Sequence, residues 1–268
     1  MHHSDFISKR ITSLLFLVVW ESPVLAHVKS PKSVVKPLEI MVEDAAPPWS
    51  GADGKGYAND VVKAVYKEVG VPVVLKVVPY ARCKKTVLKG QAVACFSMAW
   101  HDEFDGLLKL ASEPLIYLNV DVFESIKRPL PKPAQGTCDI PPNTRVGTVR
   151  AYEYPPEAMA LVTRGAIFET YHSDIHTLKM LASGRIDAAI IMTNELEPRN
   201  TKSLEAKTDQ QVRFAFNCGK EAGTIGFSLT HPLGLLAWTH YEEGYKRLKK
   251  KGTLRAIAEK WGDNRTTF

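Results

Sequence analysis

Aromatic, basic and small polar residues recur in this chain where short apolar runs give way to loops. Trp49, Tyr80, Arg82, Trp100, His101, Arg150, Tyr152, Tyr154, Thr193 and Asn194 follow runs that close at Val42, Val78, Met98, Val149 and Met192. Their chemistry is recognition. Trp and Tyr rings form rigid apolar walls with a polar tip, and an arginine fork grips a carboxylate or phosphate through paired hydrogen bonds. Trp49 stands between Pro48 and a glycine-containing turn, with no helix or strand face to pack on. For the others a structural reading stays open. Tyr80 suits packing beneath the helix that it begins, and Arg82 faces either a binding surface or solvent. One of Tyr152 and Tyr154 suits a packing role. Thr193 and Asn194 equally suit the N-cap of a following helix, the commonest role of such residues.

Other constellations are weaker. His172 and His176 have a spacing that binds metal on one helix face. However, His172 precedes the expected helix start, and Ser173 or Asp174 reads as its cap. Serine nucleophile elbows, glycine-rich phosphate loops and Cys-His catalytic pairs are not apparent. No cofactor, no metal and no catalytic residue is therefore expected.

The elements that must position these residues show a doubled unit. Leu88-Lys89-Gly90-Gln91-Ala92-Val93-Ala94-Cys95-Phe96-Ser97-Met98 ends a helix, turns at glycine and enters an apolar strand. Ala182-Ser183-Gly184-Arg185-Ile186-Asp187-Ala188-Ala189-Ile190-Ile191-Met192 repeats it, with Gly90 matching Gly184 and Met98 matching Met192. Glycine suits a helix end where φ turns positive, and the apolar run reads as a strand buried on both faces. Strands are predicted at 38–42, 73–78, 92–98, 115–124, 145–149, 166–171, 186–192 and 224–229. Helices are predicted at 57–69, up to 89, after Pro156, and at 174–183, 233–250 and 253–261. This βαβ series predicts an α/β protein of two lobes, each a mainly parallel sheet flanked by helices. A Pro-rich stretch, 127–133, reads as the entry to the second lobe. Lobe 1 is expected at 27–119 and 223–268, lobe 2 at 120–222, with two strands crossing between them as a hinge. Ligands of such sheets sit beyond the carboxyl ends of the strands, where the recognition residues lie.

Residues 1–26 are set apart. Lys9 and Arg10 precede an apolar run from Ile11 to Trp20, and Val24-Leu25-Ala26 follows, the layout of a cleaved secretory signal peptide. The net charge of +6 says little about partner by itself. The run Lys246-Arg247-Leu248-Lys249-Lys250-Lys251 ends a long helical pattern, where cations complement the helix C-terminus. Together with export, that argues against nucleic acid. The cysteines, four in all, permit three pairings, and an oxidising compartment favours disulfides. Cys83 and Cys95, on a helix and the strand after it, suit a local bridge. Cys138 and Cys218 would then tie the start of the second lobe to its end.

Three segments carry a resemblance. Ala46-Pro47-Pro48-Trp49 is followed by Asp53-Gly54-Lys55-Gly56-Tyr57-Ala58-Asn59-Asp60-Val61-Val62. Gly184-Arg185-Ile186-Asp187-Ala188 closes the doubled unit, and Lys251-Gly252-Thr253-Leu254-Arg255-Ala256-Ile257-Ala258-Glu259-Lys260-Trp261-Gly262 closes the chain. In order and spacing these resemble the periplasmic solute-binding proteins of the amino-acid ABC-transporter type. The resemblance implies the two-lobe periplasmic-binding-protein fold, closure on a small-molecule ligand, and delivery by a monomer to an ABC permease in the inner membrane. The chain departs from that family at two places. Where amino-acid binders keep an arginine it has Ala99-Trp100-His101-Asp102-Glu103-Phe104, and where they keep an aspartate it has Thr193-Asn194-Glu195. The expected ligand is thus a polar or aromatic solute other than a standard L-α-amino acid. Two rivals remain. One is an enzyme similar to cyclohexadienyl dehydratases, with His101, Asp102 or Glu103 as general acid. The other is a soluble sensor partner of a membrane receptor.

Overall fold

The computed structural model describes residues 36–263, and the leader expected at 1–26 lies outside the described residues. No helix among the described residues is long and apolar enough to cross a membrane.

The described residues open with β1 (Leu38–Glu43), a small hairpin of β2 (Ala45–Ala46) and β3 (Ser50–Gly51), and α1 (Tyr57–Glu68). It continues through β4 (Val73–Val78), α2 (Tyr80–Leu88), β5 (Ala94–Met98), a 3-10 turn at Asp102–Phe104, β6 (Leu108–Leu110) and β7 (Ile116–Ser125). Next come β8 (Arg145–Val149), α3 (Pro156–Thr163), β9 (Ile167–Tyr171), α4 (Asp174–Ala182), β10 (Ala188–Thr193) and α5 (Thr201–Glu205). The long β11 (Val212–Ser228), α6 (Gly234–Lys250) and α7 (Thr253–Lys260) complete it. The strand order is β4-β1-β5-β11-β7-β10-β8-β9, with β6 alongside β11. β1 runs parallel to β4 and β5, and β8 parallel to β9 and β10.

The apolar runs become strands because both of their faces are covered. In β1, Ile40 and Val42 join Val61, Val65, Phe96 and Tyr241 beneath α1 and α6, while Met41 joins Cys83, Val87, Cys95 and Met98 beneath α2. In β10, Ala188, Ile190 and Met192 meet Val120, Val122 and Leu161, while Ala189 and Ile191 meet Leu178 and Leu181. Period-two alternation between two cores keeps the buried stretches Ile40–Val42 and Ala188–Met192 apolar. The paired glycines behave as expected. Gly90 and Gly184 end α2 and α4 at φ +68° and +74°, and a Cβ on Gly90 would lie 2.4 Å from Thr230 Oγ1.

Two strands join the halves. β7 and β11 pair antiparallel from Ser125↔Val212 to Ile116↔Gly223. β7 also pairs with β10, and beyond Gly223 the register of β11 shifts and it pairs with β5. Between Thr224 and Ile225 the pairing passes over Ser97, which leaves the extra residue on β5 in the manner of a bulge. This is where structure and sequence differ most. Only 224–229 reads as strand, because Asn217, Gly219, Lys220 and Glu221 interrupt the apolar pattern. Pairing with β7 supplies what that pattern lacks. The hairpin β2–β3, β6 and α5 are likewise set by tertiary contacts.

Both disulfides form as expected. Cys83–Cys95 joins α2 to β5 with Cα atoms 5.6 Å apart, and Cys138–Cys218 joins the loop before β8 to β11 with Cα atoms 4.7 Å apart.

Candidate functional site

The carboxyl ends of β1, β5, β8 and β10 converge on one cavity. It is lined from one half by Glu43, Ala46, Pro47, Trp49, Ser97 and Ala99, and from the other by Tyr152, Glu153, Met192, Asn194 and Lys202. Ile116 and Leu118 of β7, with Glu221 and Gly223 of β11, form its floor along the joining strands. The free volume is about 40 Å³, room for a few waters at roughly 10–15 Å³ each. An organic solute enters only when the walls part.

Trp49 owes its position to its backbone. The Tyr57 and Ala58 amides donate to the Pro48 and Trp49 carbonyls at 3.0 and 3.1 Å. Gly56, at φ +152°, packs so closely that a Cβ there would lie 2.0 Å from Trp49 O. The indole meets the Tyr57 ring edge-on at 5.6 Å and is 2% exposed. Its Nε1, like Ser97 Oγ, has no hydrogen-bond partner among the described residues.

The polar groups form two ties across the cavity. Tyr152 Oη donates to Glu43 Oε1 at 2.6 Å, and Tyr80 Oη donates to Glu153 Oε2 at 2.6 Å. Lys84 Nζ lies 2.7 Å from Glu153 Oε1 and 2.6 Å from Glu103 Oε1. Burial raises the Glu153 carboxyl against the opposing pull of Lys84. Burial alone would lower Lys84, but the Glu153 and Glu103 carboxylates together override it and hold the ammonium above its ordinary value. Burial also pushes the Glu43 carboxyl from 4.5 to about 7, the Tyr152 hydrogen bond offsetting only part of it. Lys202 is paired with Asp174, and burial raises Glu221 as well.

Glu43 therefore ties stability to pH. Its folded pKa exceeds its unfolded one, so its contribution is complete below about 4.5 and is lost as pH rises through about 7. We expect Glu43→Gln to remove a decline of about 1–3 kcal/mol between pH 5 and pH 8. Urea unfolding at the two pH values measures it, and parallel pH slopes in wild type and variant would contradict it.

Of the residues singled out from sequence, Trp49, Tyr152 and Asn194 line the cavity, and Tyr80 stands behind Glu153. Asn194 also closes a turn, accepting from the Leu196 amide at 2.9 Å. Thr193 donates to the buried Asp121 at 2.6 Å, and Tyr154 Oη accepts from the Val149 amide at 2.8 Å. Both hold the scaffold. Arg82, Arg150, His101 and Trp100 are exposed and stand outside the cavity lining, Trp100 at 69%. His101 instead caps the 3-10 turn, accepting from the Glu103 amide at 3.3 Å. His172 and His176 face each other at 2.8 Å between Nδ1 atoms, and no group of three or more metal-ligating side chains exists among the described residues.

Sequence reasoning missed Glu43, Ser97, Ala99, Glu153, Lys202 and Glu221 as lining residues. A carboxylate directly after an apolar run, as at Glu43, and one flanked by tyrosines, as at Glu153, were the available signals. Lys202 had none, because it arrives on α5.

No protein-family model matches the sequence, and no curated protein does. Solved structures do match its fold. A histidine kinase sensor domain with similarity to periplasmic binding proteins aligns over 84% of this chain and 96% of its own at 13% identity, TM-score 0.66. The GluR0 ligand-binding core from Nostoc punctiforme, in complex with L-glutamate, aligns over 85% and 100% at 14% identity, TM-score 0.64. The arginine-, lysine-, histidine-binding protein ArtJ from Geobacillus stearothermophilus aligns over 87% and 97% at 14% identity, TM-score 0.63. The chain thus has the two-lobe periplasmic-binding fold, and its cavity lies between the lobes.

Proposed function

We propose that this chain is a periplasmic solute-binding protein, freed of its leader at 1–26. In this reading it closes two lobes, 27–119 with 223–268 and 120–222, on a small solute and delivers it as a monomer to an ABC permease. The observation that carries this reading is the composition of the cavity, to which both lobes and both joining strands contribute. Solute-binding proteins and a sensor domain share the fold, and hinged closure on a ligand is the motion that suits it.

The lining narrows the solute class. Of the lining carboxylates, Glu153 is matched by Lys84, which leaves Glu43 and Glu221 beside a single lining cation, Lys202, itself committed to Asp174. The Trp49 and Tyr152 rings supply aromatic walls that attract ammonium groups. Neither lining arginine nor free lysine is present to hold a carboxylate. The solute is therefore an organic amine without a carboxylate, in place of a standard L-α-amino acid.

Thermal shift with matched pairs tests this, since a ligand that binds only the native state raises its melting temperature. Agmatine against arginine, cadaverine against lysine and tyramine against tyrosine are suitable pairs. The amine of at least one pair is expected to stabilise the protein, and Glu221→Gln and Trp49→Phe to weaken that binding at least about tenfold. Stabilisation by the amino acid and not by its amine would overturn the amine assignment. An enzyme of the same fold would draw on Glu43, whose carboxyl is held at about 7, a value suited to a general acid. Recovery of the bound amine unchanged decides against it.

A further inference from the structure

Three groups of one lobe converge on a single carboxylate of the other. Tyr80 Oη donates to Glu153 Oε2 at 2.6 Å, the Ala99 amide donates to the same oxygen at 3.4 Å, and Lys84 Nζ lies 2.7 Å from Oε1. Tyr80 and Lys84 are carried by α2, and Ala99 follows β5. Glu153 comes from the loop between β8 and α3. The cluster is buried, with Glu153 6% exposed, Tyr80 5% and Lys84 9%, and Lys84 Nζ also meets the half-exposed Glu103 of its own lobe at 2.6 Å. A cation, a phenol and a backbone amide at the carboxyl end of a strand form a receptor for a carboxylate. Here the chain's own side chain occupies it.

The loop that carries Glu153 is built for this reach. Ala151 holds φ +70°, a conformation that side-chain-bearing residues rarely adopt, and its carbonyl accepts from Lys84 at 3.0 Å. Ala151 and Tyr152 pack against the core beneath α2. A motion that parts the lobes pulls Glu153 out of the receptor and breaks these contacts together.

We propose that Glu153 is a built-in carboxylate ligand that fills an anion receptor on the opposite lobe, latches the cleft shut without solute and denies that position to solutes carrying a carboxylate. The latch rests on the hinged-cleft reading, but it needs no particular solute. It makes closure a property of the chain itself, so solute competes with nothing at the receptor and adds its contacts at Trp49, Glu43 and Glu221. Opening exposes Tyr80, Lys84 and the Ala99 amide, and a free carboxylate then finds a ready site.

The test uses the solute-free protein with a spin label on α1 and another on α3. Wild type is expected to show the short interlobe distance. Glu153→Ala is expected to lower the closed-to-open ratio at least about tenfold, the worth of hydrogen bonds to a charged group. Sodium acetate, compared with sodium chloride at equal ionic strength, is expected to raise the melting temperature of Glu153→Ala and leave wild type unchanged. Acetate fits the hole left by the truncated side chain, and a purely structural role for Glu153 would show no such rescue. Glu153→Gln keeps the shape and is expected to open partially, and it decides the matter if Glu153→Ala does not fold. Both variants closed like wild type, or acetate acting no better than chloride, would overturn the latch. Amine binding with no rescue leaves the functional reading standing alone; rescue with no amine binding leaves the latch standing alone.

Discussion

Replacing Gly56 with alanine is expected to abolish solute capture and to lower the unfolding free energy by about 3 kcal/mol or more. The reason is that the new methyl group would meet backbone. An ideal Cβ at this position lies 2.0 Å from Trp49 O, 2.4 Å from Trp49 C and 2.8 Å from Ser50 Cα. No rotamer change relieves such contacts, and φ of +152° is itself costly for a residue with a side chain. Relief requires the Trp49 segment to move, which breaks the amide bonds from Tyr57 and Ala58 that hold it. The indole then leaves the cavity wall. Urea unfolding and titration with the stabilising amine measure the two effects. A variant with wild-type stability and affinity would show that the loop yields freely.

The second large effect is at Asp121. This carboxylate on β7 is fully buried and joins three other segments. Thr193 Oγ1 donates to it at 2.6 Å, Asn217 Nδ2 at 2.8 Å, and Arg199 Nε lies 2.9 Å away. The Arg199 guanidinium in turn stacks over the Phe214 ring at 4.1 Å. Asp121→Ala is expected to cost about 1–3 kcal/mol, since it leaves the buried Thr193 hydroxyl without its acceptor while the exposed Asn217 and half-exposed Arg199 turn to water. Asp121→Asn keeps the shape, loses the countercharge and is expected to cost less. Denaturant titration ranks the variants, and a loss below about 1 kcal/mol for Asp121→Ala would mean that the cluster contributes little.

The sequence made the fold legible wherever burial imposes a simple pattern. β1, β4 and β8 read as strands because each is an apolar run bounded by turn residues. The helix ends at Gly90 and Gly184 were legible because a positive φ selects glycine. The first half of β11 was illegible, because its stability comes from its partner β7 and not from its own composition. The site divides in the same way. Trp49 and Tyr152 stood out, since an aromatic ring in a loop needs a reason to be there. The carboxylates did not, because their meaning lies in distant partners. Tyr80 and Glu153 are 73 residues apart in sequence, and Glu43 and Tyr152 are 109 apart. Arg82 and Arg150 have the chemistry expected of a binding site, and the structure leaves both exposed and outside the lining of this cavity.

The strand order also sets a timetable. A nascent chain emerges from its amino end, and β7, β8, β9 and β10 with the first half of β11 are contiguous, so one sheet can be finished while α6 and α7 are still to come. The other sheet cannot. Its β5 edge waits for the last residues of β11, and the core beneath α1 waits for Tyr241 and Leu254. Until then β1, β4 and β5 present an unpaired edge, a state in which newly made chains are open to proteolysis and to association with one another. Truncation within the last two helices should therefore harm the yield of folded protein well before it touches any residue of the cavity.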